Sequence, residues 1–228
     1  MDLYIILPGK IGDIIICTPI AKHYHDKGYN VIWPVRTNIQ SNFIYGHIPY
    51  VTYTEFTTVS DIYKLAKDSN GSVLDLSLGD NYELQNKFSF DEYRYNMSGV
   101  CFSNKWCLDL NRNYTRENML IKTLDISRDY ILRHSGTDRR RVVIDVDTDV
   151  DIIDINFNTN CIFDWIPVIQ SAKIVMFIES CFSNLTDQLG IHNDIQMLFL
   201  QQRIDTQILT NGRKRCVPVL KNRWFYNA

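Results

Sequence analysis

No apolar run in this 228-residue chain reaches the length of a membrane-spanning helix, about 18 residues or more. The first residues hold no positively charged stretch ahead of a long apolar one, so no secretory leader and no membrane span are expected. Net charge is nearly missing too. The formal value of −2, from 24 Lys and Arg against 26 Asp and Glu, gives no global sign of a nucleic-acid or membrane-surface partner. The six cysteines (Cys17, Cys101, Cys107, Cys161, Cys181, Cys216) form no C-x-x-C pair, which removes the common zinc and dithiol motifs. Reduced thiols and a cytoplasmic location are therefore expected, with Cys17 and Cys181 as small core residues. The chain also lacks G-x-G-x-x-G, a Walker A loop and a G-x-S-x-G elbow, so dinucleotide binding, P-loop hydrolysis and Ser-His-Asp hydrolysis are unsupported. Its five histidines form no cluster with metal-ligand spacing.

What is present is an ordinary globular composition, 45% hydrophobic and 22% charged. The length suits one α/β domain or two of about 110 residues. Strand-like and helix-like segments alternate throughout. Leu3–Leu7, Asn30–Val35, Tyr50–Tyr53 and Ser72–Leu76 read as strands, with helices over Ile14–Tyr24 and Ser60–Lys67. The rhythm restarts with a helix over Met119–Leu124 and strands at Asp129–Arg133, Val142–Val146 and Ile152–Phe157. It continues through a helix over Ile162–Ala172, a strand at Lys173–Ile178, a helix over Ser183–Leu189, and strands at Ile195–Leu200 and Cys216–Leu220. This is the pattern of parallel sheets covered by helices. The expected architecture is α/β, two small Rossmann-like domains facing a cleft, divided as 1–118 and 119–228. Residues 80–106 read as irregular and aromatic, packing over the sheet or lining an acceptor pocket.

Two segments carry chemistry. In the first, the strand Leu3–Leu7 stops at Pro8-Gly9-Lys10-Ile11-Gly12-Asp13, where a helix begins. A helix N-terminus after a glycine turn holds anions through its free N–H groups and dipole. Lys10 and Gly12 belong to that turn, and Asp13 either caps the free amides or faces a substrate. In the second, the strand ending at Ile178 runs into Glu179-Ser180-Cys181-Phe182-Ser183-Asn184 and another helix. Ligands of open parallel sheets collect beyond the carboxyl ends of strands. Ser180 and Ser183 can bind a diphosphate there and Glu179 a ribose, while Ser183 as a plain helix cap is the alternative. A third stretch, His134-Ser135-Gly136-Thr137-Asp138-Arg139, can bring Ser135, Thr137 and Arg139 to phosphate, or can be a polar loop.

Together the motifs Gly9-x-x-Gly12-Asp13-x(4)-Thr18-Pro19 and strand–Glu179-Ser180–helix–Leu189-Gly190-Ile191 resemble the heptosyltransferase-like glycosyltransferases of family 9, which have the GT-B fold. The resemblance implies transfer of a sugar from a nucleotide sugar to an acceptor hydroxyl, inverting and without a metal. It puts Asp13 at the catalytic base and Glu179, Ser180, Ser183 and Asn184 in the donor loop; from the residues themselves, Lys10, Gly12, Ser135, Thr137 and Arg139 are expected as further donor contacts. This chain has Glu179 where the family has Asp, Cys181 for Gly and Asn184 for His, and it is shorter than usual members. No cofactor is required beyond the nucleotide-sugar substrate, with a UDP-sugar as the expected donor and a glycan or lipid-linked sugar as the acceptor.

Two other readings stay open. Arg139-Arg140-Arg141 and the basic stretch from Arg203 to Arg223 suit a viral enzyme of the host cytoplasm that glycosylates hydroxymethylated pyrimidines in DNA. A non-catalytic nucleotide- or sugar-binding module is the other. The alternating Asp145, Asp147, Asp149 and Asp151 suggest either a carboxylate site for a hard cation or the solvated face of an edge strand.

Overall fold

The computed structural model describes residues 1–40, 42–43, 45–77, 87–137, 140–156, 159–199, 220–222 and 224–227, with residues 38, 137, 140, 226 and 227 described through their backbone alone. These residues form two compact units. The first comprises Met1 to Asn111, and the second begins at Arg112 and takes in the residues from Leu220 onward. A division between residues 118 and 119 would cut the helix Tyr114–Leu124. That helix belongs whole to the second unit because Arg116 makes a bidentate pair with Asp164 there, while Arg112 grips Glu117.

The first unit runs β1 (Asp2–Ile6), α1 (Ile11–Asp26), β2 (Asn30–Val35), α2 (Thr37–Gln40), β3 (Thr52–Glu55), α3 (Val59–Asp68), β4 (Ser72–Asp75), α4 (Phe90–Ser98) and a 3-10 turn, Phe102–Trp106. The four strands form one parallel sheet in the order β3-β2-β1-β4. Alternation sorts its side chains. Tyr4, Ile6 and Ile32 meet Ile62 and Ala66 of α3 on one face. Leu3, Ile5, Val31 and Trp33 are buried on the other, where α1 lies with every residue from Ile14 to Ala21 buried.

The stretch expected to be irregular contains α4. Its N-cap Ser89 and Glu92 form a capping box, and Gly99 closes it in the left-handed conformation at φ +66°. Tyr93 and Tyr95 of α4 are buried in the unit, so these aromatics serve the core.

The second unit runs α5 (Tyr114–Leu124), β5 (Tyr130–His134), β6 (Gly136–Thr137), β7 (Arg140–Arg141), β8 (Asp151–Asp154), a 3-10 turn (Ile162–Trp165), α6 (Ile166–Ser171), β9 (Ile174–Ile178), α7 (Cys181–Gln188), β10 (Ile195–Phe199) and β11 (Phe225–Asn227). Five strands form a parallel sheet in the order β11-β10-β9-β5-β8, while β6 and β7 make a small antiparallel pair. The expected helix over Ile162–Ala172 is instead a 3-10 turn followed by α6. Pro167 lacks an N–H and suits the first turn, so the α-helix starts beside it.

Residues 142–150 are not a strand. They run without a ladder, and Val142, Ile144, Val146 and Val150 pack on a cluster of Ile131, Met176 and Ile178. The carbonyl of Ile144 accepts from Arg133 Nη1 at 2.9 Å, in place of a neighbouring strand. Asp145, Asp147 and Asp149 point outward as the alternation suggests, whereas Asp151 pairs with Arg128 and Asp154 with Arg133. Those two guanidinium groups hold the Asp151 and Asp154 carboxyls below their ordinary range. The expected strand at Cys216–Leu220 lies almost wholly outside the described residues. Among the described residues no helix is long and apolar enough to cross a membrane.

Candidate functional site

In the first sheet the strand order reverses beside β1. The chain leaving β1 passes to β2 on one side, while β4 occupies the other. Such a reversal opens a crevice beyond the carboxyl ends of the strands. The Pro8–Asp13 turn leaves β1 at that point. Lys10 is the exposed N-cap of α1, Gly12 lies half-buried in its first turn, and Asp13 is the third helical residue.

Both Asp13 oxygens are held. Oδ2 accepts the Lys10 backbone N–H at 2.6 Å, and Oδ1 accepts Arg94 Nη1 at 3.0 Å. The Asp13 side chain remains 22% exposed while that of Arg94 is 4% exposed. Each carboxylate oxygen has two lone pairs, so one on each stays available to a substrate. Gly9 explains itself here. A Cβ at residue 9 would lie 2.5 Å from Asp13 Oδ2 and 2.6 Å from its Cβ, so only glycine lets the turn close over the carboxylate. One turn further along α1, burial pushes the Cys17 thiol up to about 12, so it stays protonated as a core residue. Cys181, by contrast, is half-buried at the start of α7.

In the second sheet the order reverses between β5 and β9. His134 ends β5, and Glu179 and Ser180 follow β9. Their meeting point is a hydrogen bond of 3.0 Å between His134 Nδ1 and Ser180 Oγ. His134 is 8% exposed, and its ring lies edge-on to Phe182 with centroids 4.8 Å apart. Burial pushes its imidazole down to about 4, opposed by a hydrogen bond that the ring donates to the Gly136 backbone carbonyl, so the ring is neutral at pH 7.

Ser180 is the N-cap of α7. Its Oγ accepts the Phe182 N–H at 3.3 Å, while its own N–H donates to Ser183 Oγ at 3.0 Å. Ser183 in turn donates to the Ser180 carbonyl at 2.9 Å, and Asn184 Nδ2 reaches the same carbonyl at 2.9 Å. The amides of Ser180 and Phe182, expected to meet a diphosphate, are thus occupied by hydroxyls of the same turn. Ser183 and Asn184 are buried and serve the cap. Ser180 and the half-buried Glu179 are the side chains presented at this reversal.

Ser135 is half-buried next to His134, and the Thr137 backbone lies in β6. The Thr137 side chain, Arg139, Arg203, Arg213, Lys214, Arg215 and Arg223 lie outside the described residues. Arg94 escaped the sequence reading, and His134 was named only within the third stretch, without its contact to Ser180. The buried Asp187 carboxylate accepts the Lys221 and Asn222 N–H groups at 2.8 and 2.7 Å and Trp224 Nε1 at 3.3 Å, fastening the approach to β11 onto α7. Only α4 had a signal in the sequence, the Ser89-x-x-Glu92 box before Gly99.

No protein-family model and no curated protein matches the chain. Solved structures do. A glycosyl transferase family 9 protein from Veillonella parvula DSM 2008 aligns with a TM-score of 0.57 at 9% identity, over 87% of this chain and 80% of its own. The E. coli heptosyltransferase WaaC, solved with ADP, gives 0.52 at 10% identity over 99% and 92%. TibC, an iron-containing dodecameric glycosyltransferase from enterotoxigenic E. coli H10407, gives 0.51 at 9% identity, and the match spans 57% of its length. At such identities the likeness is one of fold. The Rossmann-like α/β architecture is common to this chain and to these glycosyltransferases.

Proposed function

We propose that the chain is a nucleotide-sugar-dependent glycosyltransferase of the GT-B kind, inverting by direct displacement. The observation that carries this reading is the position of the two motifs, each at the strand-order reversal of its own sheet. Asp13 acts as the base. A carboxylate oxygen with an open lone pair takes the acceptor hydroxyl proton as the hydroxyl oxygen attacks the anomeric carbon and the nucleoside diphosphate departs. Glu179 accepts hydrogen bonds from the donor ribose, and Ser180 stands next to it at the N-terminus of α7, whose dipole favours the departing negative charge.

TibC was also solved with ADP-D-beta-D-heptose. ADP-sugars therefore join UDP-sugars at the head of the donor panel. Thermal-shift measurements against UDP-, ADP-, GDP- and CMP-sugars test the reading first, since selective binding to the folded state raises its melting temperature. Release of nucleoside diphosphate by the parent and by Asp13→Asn tests it second. Donor binding with turnover lost in Asp13→Asn is the expected outcome. Equal turnover in both proteins refutes the base. Donor binding without turnover in either returns the chain to the class of binding modules.

A further inference from the structure

Arg94 is buried beside the proposed base, yet the chemistry above gives it no task. We infer that Arg94 is a positioning residue that locks the Asp13 carboxylate in one orientation; the inference rests on the reading of Asp13 as base.

The two anchors of Asp13 come from separate elements. Oδ2 is tied to the Lys10 N–H of the β1–α1 turn, and Oδ1 to Arg94 of α4. Rotation of the carboxylate about its own axis breaks at least one of them. With both in place, the two remaining lone pairs point in fixed directions, which is what proton transfer in a defined substrate pose requires.

Arg94 is itself held. Its guanidinium stacks on the ring of Phe90, one helical turn earlier, at 4.0 Å from the centroid. The helix beneath it is pinned to α1 on both sides. Tyr95 Oη donates to the Ile16 carbonyl at 2.9 Å and Tyr24 Oη to the Ser98 carbonyl at 2.7 Å. Lys105 Nζ meets Asp91 at 2.6 Å, both side chains fully buried.

Packing alone does not account for an arginine here. Its buried Nε has no hydrogen-bond partner. A methionine would fill similar volume without that unsatisfied donor, and the Asp13 carboxylate, 22% exposed, would stay hydrated in its absence. What a methionine does not supply is a fixed donor on Oδ1.

The test compares Arg94→Met, Arg94→Lys and Asp13→Asn. Amide hydrogen exchange at Lys10 reports on the Asp13 orientation independently of activity. In Arg94→Met the Lys10 amide should exchange roughly tenfold faster as its acceptor swings away, while Ile16 and Tyr95 keep their protection. Turnover of the sugar nucleotide selected from the UDP-, ADP-, GDP- and CMP-sugar panel should fall about 10- to 100-fold in kcat with KM within about twofold. Arg94→Lys, which keeps the charge but not the planar fork, should recover part of the loss in both readouts.

Lys10 protection and kcat equal to the parent in Arg94→Met overturn the inference. So does a uniform rise in exchange along α1 and α4 with no recovery by lysine, because that pattern is packing alone. Should Arg94→Met fail to fold, Arg94→Lys against Arg94→Gln carries the same comparison. Full turnover in Asp13→Asn would instead fell the base assignment, and the Lys10 exchange result would still decide whether Arg94 holds the carboxylate.

Discussion

Acidification from pH 7 to pH 5 should weaken the second unit through one side chain, His134. Its imidazole is pushed down to about 4 by burial, against an ordinary value of 6.5 in the unfolded chain. Between those values the unfolded state binds a proton that the folded state refuses, so stability falls as pH falls. The contribution is complete above about 6.5 and is lost progressively down to about 4. At about 1.4 kcal/mol per pH unit the full window is worth about 3 kcal/mol, of which about 2 kcal/mol disappears by pH 5.

Urea unfolding of the parent and of His134→Gln at both pH values isolates the effect, since glutamine keeps a polar partner for Ser180 and does not titrate. The parent should lose about 2 kcal/mol more than the variant. Carboxylates that titrate in this range, and the half-buried His23, are common to both proteins and cancel. An imidazole NMR titration midpoint for His134 near 6.5, or identical pH dependence in the two proteins, would refute the reasoning.

Three further outcomes follow from the same contacts. Gly9→Ala drives a methyl into the fixed Cβ and Cγ of Asp13, 2.6 and 2.7 Å away, and should cost about 1–3 kcal/mol by thermal unfolding while lowering turnover. Asp187→Ala leaves the Lys221 and Asn222 N–H groups and the Trp224 indole without their acceptor, so about 3 kcal/mol should be lost and limited proteolysis should release the residues from 220 onward. Arg116→Met strands the buried Asp164 carboxylate, whose side chain is 2% exposed, and should destabilise the second unit by about 3 kcal/mol in urea.

The strands were legible because their apolar runs are bounded by turn residues. Asn30–Val35 is reproduced residue for residue, and β1, β4, β9 and β10 agree within a residue at each end. Residues 142–150 misled because alternation reports which side chains face inward and not whether a ladder exists. The faces are as read, with Ile144 in and Asp145 out, but Arg133 supplies the hydrogen bond a neighbouring strand would have made. Helix α4 was obscured by its composition. Phe90, Tyr93 and Tyr95 suggest irregular packing to a reader of propensities, while the Ser89–Glu92 box and Gly99 state both ends of the helix.

The candidate site divides along a different line, that of sequence separation. Asp13, Lys10 and Gly9 were recognisable because one local turn contains all three, and a carboxylate three residues after an N-cap falls back on it by helix geometry. Arg94 stands 81 residues from Asp13 and His134 46 residues from Ser180. Those pairs meet only because β4 and α4 return beside β1, and because β9 inserts next to β5 instead of beyond β8. Strand order is decided by how twisted strands and crossover helices pack, which no local pattern encodes. A reading confined to motifs therefore finds the proposed base and misses the group proposed to position it, since the first is fixed by its own turn and the second by the topology.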